Sequence, residues 1–159
     1  MLDKPQIVQT PAQPTAIIRL TIPRQEIRNV MGPGRREVLD TVGAQGITPA
    51  GPWFSRHLRM DPHIYDFEIG VPVATPIAAA GRVKPGQLPA ARVARTVYRG
   101  PYEGLASAWS EFDAWIVASG HTPGPEFWEC YVTGPESGPD PASWSTELTR
   151  PLTHQAATG

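Results

Sequence analysis

The tetrapeptide Gly46-Ile47-Thr48-Pro49 returns as Gly120-His121-Thr122-Pro123, each time directly after a stretch whose apolar residues keep helical spacing. With the two copies aligned, Trp53 and Phe54 fall on Phe127 and Trp128, and Ser55 and His57 fall on Glu129 and Tyr131. The run Glu68-Ile69-Gly70-Val71-Pro72-Val73 then falls on Glu147-Leu148-Thr149-Arg150-Pro151-Leu152. A chain that repeats in this way builds one supersecondary unit twice, and the elements must come in the same order in each half.

That order can be read residue by residue. Thr15–Ile22 is rich in β-branched residues and predicts a strand. Pro23 opens a helix over about Arg24–Gly43, in which Ile27, Val30, Met31, Val38, Leu39 and Val42 keep the 3.6 period. Met31-Gly32-Pro33-Gly34 should interrupt it, because proline removes a helix donor and clashes with the preceding turn. A hairpin follows: Trp53–Met60, a turn at Asp61-Pro62-His63, and Tyr65–Val71, where Tyr65, Phe67, Ile69 and Val71 alternate with Asp66, Glu68 and Gly70. In the second half, Ile77–Arg82 and Gln87–Arg99 read as strands around the turn Lys84-Pro85-Gly86. Pro101 opens a helix over Tyr102–Ser119 with the apolar stripe Tyr102, Leu105, Ala108, Trp109, Phe112, Trp115 and Ile116. Phe127–Thr133 is a strand, Gly134–Ser143 a Pro/Gly/Asp-rich loop and Thr146–Leu152 a closing strand.

The fold expected is therefore α+β: duplicated β-α-β-β halves related by a pseudo-two-fold axis, two long helices packed on antiparallel sheet, and a ligand cleft between the halves. Residues 1–14 read as an extended lead-in and 15–153 as one domain, with halves at about 15–76 and 77–153. Residues 154–159 read as a flexible tail with nothing to pack. Nineteen prolines and 15 glycines in 159 residues fit short elements joined by stiff turns.

Composition narrows the function classes. A formal charge of -1 lacks the basic footprint of a nucleic-acid binder, so no direct nucleic-acid contact is expected. Cys130 stands alone, so folding needs no intrachain disulfide. No leader pattern and no apolar run of bilayer length occurs, which gives a cytoplasmic protein without membrane partners as the expectation. His57, His63, His121 and His154 stand at no metal-ligand spacing, and no glycine pattern suits a phosphate or dinucleotide, so neither metal nor cofactor is expected.

The candidate site lies in the second hairpin. Strand alternation puts Phe127, Glu129 and Tyr131 on one face and Trp128, Cys130 and Val132 on the other. The second set reads as core against the helix, with Cys130 a small buried hydrophobe rather than a nucleophile, which leaves Glu129 between two aromatics on the opposite face. A carboxylate there is costly to desolvate unless a cation or a donor meets it, and a cationic amphiphile would meet it with its charge near the carboxylate and its body on the aromatic faces. An edge-strand glutamate in water is the alternative. In the first half, Trp53, Ser55 and His57 take the equivalent face, with Tyr65 and Tyr98 at the rim and Trp109 on the helix as a further wall. Because Ser55 stands where Glu129 stands, there is one carboxylate and not the pair that glycosidase or aspartic-protease chemistry requires. His57 is the one plausible base on that face, and a neutral histidine lining the cleft wall is the plainer reading of it.

The run Pro62–Val73, the helix opening Gly100-Pro101-Tyr102-Glu103-Gly104-Leu105, the segment Trp128-Glu129-Cys130-Tyr131 and the segment Trp144–Leu152 resemble the GyrI-like, or bacterial transcription-activator effector-binding, family over roughly Pro14–Leu152. The resemblance implies two β-α-β-β halves with a ligand cleft between them. It also implies that Glu129 of the W-E-x-Y segment faces bound cationic lipophilic compounds, with Tyr131 lining the same cavity. Larger family members carry a DNA-binding helix-turn-helix domain first; about 14 residues precede the first strand here, so a stand-alone bacterial member is expected. Three roles follow from the resemblance. The leading one is binding or sequestration of amphipathic, aromatic, cationic small molecules, as in multidrug binding. The second is hydrolysis of cyclopropane-bearing DNA-alkylating natural products, with Glu129 and Tyr131 assisting water attack as the catalytic pair. The third is a gyrase-inhibitor-type interaction between proteins. A hydrophobic or cationic small molecule is the expected partner, a separate regulatory protein a further one, and the chain is expected as a monomer or weak dimer.

Overall fold

The computed structural model describes residues 2–59, 62–133 and 140–153. Met60 and Asp61 of the first hairpin turn, residues 134–139 of the second hairpin loop, and the tail 154–159 with His154 lie outside the described residues. In chain order the elements are β1 (Gln6–Thr10), β2 (Gln13–Pro23), α1 (Ile27–Ala44), β3 (Phe54–Arg59), β4 (Ile64–Pro72), β5 (Lys84–Leu88), β6 (Ala91–Arg99), α2 (Leu105–Ala118), β7 (Phe127–Thr133) and β8 (Ser145–Pro151). A single 3-10 turn leads into each helix, at Arg24–Glu26 and at Tyr102–Gly104.

The chain forms two compact units, one of residues 11–90 and one of residues 1–10 with 91–159. In the first, the antiparallel strand order is β3-β4-β2-β5; in the second it is β7-β8-β6-β1. The β-α-β-β plan is thus present twice, each copy with one added edge strand, and the architecture is α+β.

The repeat holds to the register. Ser55 pairs with Ile69 as Glu129 pairs with Leu148, and Phe54 with Gly70 as Trp128 with Thr149. Each hairpin carries an irregularity at the same step, between His57 and Arg59 and between Tyr131 and Thr133. The repeated tetrapeptide ends each helix alike. Gly46 and Gly120 take the positive φ of a helix stop, at 72° and 85°, and Pro49 and Pro123 bridge to Val73 and Leu152.

In the first unit, Ala16 and Ile18 of β2 and Phe67, Ile69 and Val71 of β4 form the core under Val38 and Val42 of α1. α1 runs unbroken through Pro33, against the expected interruption. Val30, Met31, Val38 and Val42 pin the helix to the sheet on both sides of the proline, while Pro33 and Asn29, whose carbonyl loses its donor, are both exposed. Gly34 explains the neighbouring glycine: a Cβ there would come within 2.7 Å of Ile69 Cδ1, so its absence lets helix and sheet approach closely.

Three further expectations are corrected. The lead-in supplies β1, whose Gln6–Thr10 pair with Arg95–Ala91 of β6. Lys84-Pro85-Gly86, expected as a turn, begins β5 and pairs with Ile17–Thr15 of β2, while no strand forms over 77–82. Pro89 and Ala90 then separate β5 from β6, in place of the single strand expected over Gln87–Arg99. Proline lacks a ladder donor, and each of these prolines lies on or beside an edge strand where that donor is not needed.

In the second unit, Ala94 and Tyr98 of β6 and Leu148 of β8 pack under Ala108, Phe112 and Ile116 of α2. No described helix is long and apolar enough to cross a membrane.

Candidate functional site

Glu129 sits in mid-strand on β7, opposite Leu148, and Leu148 belongs to the core beneath α2. Cross-strand partners share a face, so Phe127, Glu129 and Tyr131 point toward α2. The alternation is the expected one, but the face is the opposite: Glu129 lies on the helix side of the sheet. Trp128 is buried on the other face, Val132 is 49% exposed and Cys130 is half-buried. Apolarity misled because the face away from α2 buries a large apolar side chain too, Trp128.

The carboxyl is buried and held at both oxygens. The Trp109 indole N–H of α2 donates to Oε2 at 2.7 Å, and the Tyr131 hydroxyl donates to Oε1 at 2.9 Å. Burial pushes the Glu129 carboxyl above the usual carboxylate range, and the Trp109 and Tyr131 bonds pull only partly back. Among the described residues these two neutral donors are its only polar partners.

Aromatic rings stand along β7 on either side of this carboxyl. Toward its start, the Phe127 ring meets Trp109 at 4.6 Å, and the Arg150 guanidinium lies 5.6 Å from its centroid. Toward its end, Tyr131 meets Tyr102 edge-on at 5.9 Å, and Tyr102 meets Trp144 at 5.1 Å. Tyr102, Trp144 and Arg150 were not singled out as site residues from sequence. For Trp144 a signal was available in the expected pairing of the last two strands, because Thr146, two residues after it, pairs with Tyr131.

The other candidates fall as follows. Tyr98 is 7% exposed, and its hydroxyl donates to the Pro101 carbonyl at 2.8 Å, propping the start of α2. In the first unit, His57 stacks on Phe67 at 5.2 Å and meets Tyr65 edge-on at 5.2 Å. Arg24 caps the Tyr65 ring at 4.7 Å, and Arg35 lies 5.5 Å from the Trp53 ring. Burial lowers the His57 pKa to about 4, with Arg24 adding to the effect, so the imidazole is neutral at neutral pH. Ser55 is fully buried beside it in the α1-facing row. Burial, with Glu147 adding to it, pushes the Cys130 thiol up to about 12, which leaves it inert as a nucleophile. No group of three or more His, Cys, Asp or Glu side chains converges as a metal site among the described residues.

A twice-built β-α-β-β domain with one buried carboxyl among aromatic rings defines a small-molecule-binding class of protein. Residues 3–153 match the GyrI-like small molecule binding domain, and the chain belongs to that family. No curated protein matches the sequence. Among solved structures, the C-terminal domain of EcmrR shares the fold with a TM-score of 0.82 at 20% identity, over 94% of this chain and 97% of that one. In the complex of EcmrR with DNA, the likeness has a TM-score of 0.80 at 21% identity and covers 94% of this chain but 57% of the EcmrR chain. SAV2435 bound to tetraphenylphosphonium gives a TM-score of 0.68 at 16% identity, covering 96% and 95%. A hydrolase from Listeria innocua gives 0.62 at 12% identity, covering 94% and 92%. At these identities the likeness is one of fold.

Proposed function

We propose that the protein binds amphipathic organic cations, with Glu129 as the counter-charge and the surrounding aromatic rings as the walls. The observation that carries this reading is a carboxyl buried on two neutral donors, Trp109 and Tyr131. Two hydrogen bonds do not offset the cost of burying a full charge, and an incoming cation removes that cost. Aromatic faces suit the same ligand, since a ring attracts a cation and covers its apolar body. The tetraphenylphosphonium bound by SAV2435 belongs to this ligand class and supports the reading.

The test is a titration of tetraphenylphosphonium and of neutral triphenylphosphine oxide against the wild type and Glu129→Gln. The substitution should cost the cation about 2–5 kcal/mol and the neutral compound far less. An unchanged preference for the cation would remove Glu129 from recognition.

A second reading is ring-opening hydrolysis of a strained cyclopropane. It is favoured by the Tyr131 hydroxyl lying 2.9 Å from Glu129 Oε1, a phenol–carboxyl pair able to orient water and pass a proton. Water oxygen would bond to a ring carbon, the ring C–C bond would break toward an electron-withdrawing group, and that group would gain the proton. Many turnovers in ¹⁸O-labelled water, with label in the product, would establish it. Protection that saturates at one ligand per protein would refute it.

A further inference from the structure

Glu129 has an aromatic residue two positions away on each side along β7, and in sequence Phe127 and Tyr131 look interchangeable as cation walls. In the structure they are not. Phe127 already has a cation of its own: the Arg150 guanidinium lies 5.6 Å from its centroid. Arg150 is fixed there, with Nε and one terminal nitrogen donating to the Gly124 carbonyl at 3.0 and 2.8 Å. The other terminal nitrogen meets Asp113 at 3.2–3.3 Å. Trp109, pressed on Phe127 at 4.6 Å, spends its N–H on Glu129. A second cation entering on this side would meet a ring attraction already in use and a guanidinium held in place.

The Tyr131 side is built differently. Tyr131, Tyr102 and Trp144 form a chain of three rings with centroids 5.9 and 5.1 Å apart, and Tyr102 and Trp144 are half-buried rather than sealed. Thr146 adds an independent mark. It pairs with Tyr131 on β7 and with Tyr98 on β6, so it lies in the row under the start of α2. It is fully buried, and its hydroxyl has no hydrogen-bond partner among the described residues. A sealed, unpaired hydroxyl is costly to leave so and gives this end polar capacity for a bound group or its water.

We infer that the charge of a bound organic cation sits on the Tyr131 side of Glu129, against Tyr102 and Trp144, and that Arg150 keeps it from the Phe127 side. The inference rests on the cation-binding reading above and adds where the charge lies and two residues that recognise it. The apolar body of the ligand then extends toward Trp109 and Phe127.

Tetraphenylarsonium locates the charge directly, because arsenic scatters anomalously. In crystals of the full chain grown with it, the arsenic peak should lie within about 6 Å of the Tyr102 and Trp144 rings. In solution, Tyr102→Leu and Trp144→Leu should each weaken tetraphenylphosphonium about 3- to 30-fold, with Tyr102→Phe close to wild type. An arsenic peak beside Phe127 overturns the inference. So do unchanged affinities in both leucine variants while Glu129→Gln still abolishes the cation preference, a result that leaves the binding reading standing. If Glu129→Gln changes nothing, the binding reading falls and this inference falls with it. Should either leucine variant fail to fold, the arsenic position in the wild type decides.

Discussion

The Trp109 indole donates to Glu129 Oε2 at 2.7 Å, which ties the carboxyl of β7 to the helix above it. That bond favours the ionised form, so its removal makes Glu129 harder to ionise. Trp109→Phe keeps most of the ring and loses the donor. Cation affinity at neutral pH should fall about 3- to 10-fold, as expected for one hydrogen bond to a charged group. The pH midpoint of binding should also move upward, because ionisation must precede capture of the cation. Titrations of tetraphenylphosphonium across pH, read by tryptophan-independent calorimetry, check both. A fall in affinity with an unmoved midpoint would mean that Trp109 acts only as a wall.

Glu129 should also cost the empty protein stability. Its folded-state pKa is raised, chiefly by burial, so between the unfolded and folded values the native state holds more protons than the unfolded chain. Stability then falls as pH rises from the ordinary carboxylate range through the folded pKa. Glu129→Gln removes the titration and should melt higher than wild type at and above that window, while losing the cation preference. A binding site that weakens its own fold is a common exchange. Thermal melts of both proteins from pH 4 to 9 decide it; a lower melting point for the glutamine variant across the range would contradict the assignment.

Much of the fold was legible because the repeat carries its own register. Aligning Gly46-Ile47-Thr48-Pro49 with Gly120-His121-Thr122-Pro123 put Ser55 on Glu129, and the strand pairs Ser55–Ile69 and Glu129–Leu148 agree with that alignment. Alternation likewise placed Phe127, Glu129 and Tyr131 together. Alternation gives parity and not sign, however. Which face meets the helix is normally decided by which face is apolar, and in each unit both are: Phe54 and Ile17 are buried on the face away from α1 while Phe67 is buried toward it, and Trp128 is buried on the face away from α2 while Leu148 is buried toward it. Pro33 misled for a related reason, because tertiary packing on both sides of a proline outweighed the lost helix bond. Tyr102, Trp144 and Arg150 come from three separate segments: the pairing of β8 with β7 brings Trp144 and Arg150 toward Tyr131 and Phe127, while Tyr102 arrives on the turn that opens α2.

His57 predicts an acid limit. Burial, with Arg24 second, lowers its pKa to about 4, below the ordinary 6.5. The native state therefore resists a proton that the unfolded chain accepts, and the stability this represents is present above pH 6.5 and lost as pH falls toward 4. A shift of this size corresponds to roughly 3 kcal/mol. His57→Phe, stacked on Phe67 in the same place, should flatten the denaturant midpoint between pH 6.5 and 4 relative to wild type. Parallel slopes in the two proteins would show that other groups set the acid limit.

Gly104 is needed for what lies beneath it. Tyr98 is 7% exposed, and its hydroxyl donates to the Pro101 carbonyl at 2.8 Å, so the ring is wedged under the first turn of α2. A Cβ on Gly104 would collide with the Tyr98 hydroxyl oxygen and come within 2.9 Å of Cζ. The backbone at Gly104 has φ -85°, which alanine adopts freely, so the smaller conformational freedom of alanine in the unfolded chain would alone stabilise by roughly 0.4–1 kcal/mol. The collision should outweigh it, because the ring belongs to the packed core and cannot swing into open space. Gly104→Ala is thus expected to destabilise by about 1–3 kcal/mol. Tyr98→Leu should be destabilising as well, through lost packing and the lost bond. The double variant should cost less than the sum of the two, since leucine vacates the space the new methyl needs. Denaturant unfolding of the four proteins measures the coupling, and strict additivity would mean that the glycine serves something other than Tyr98.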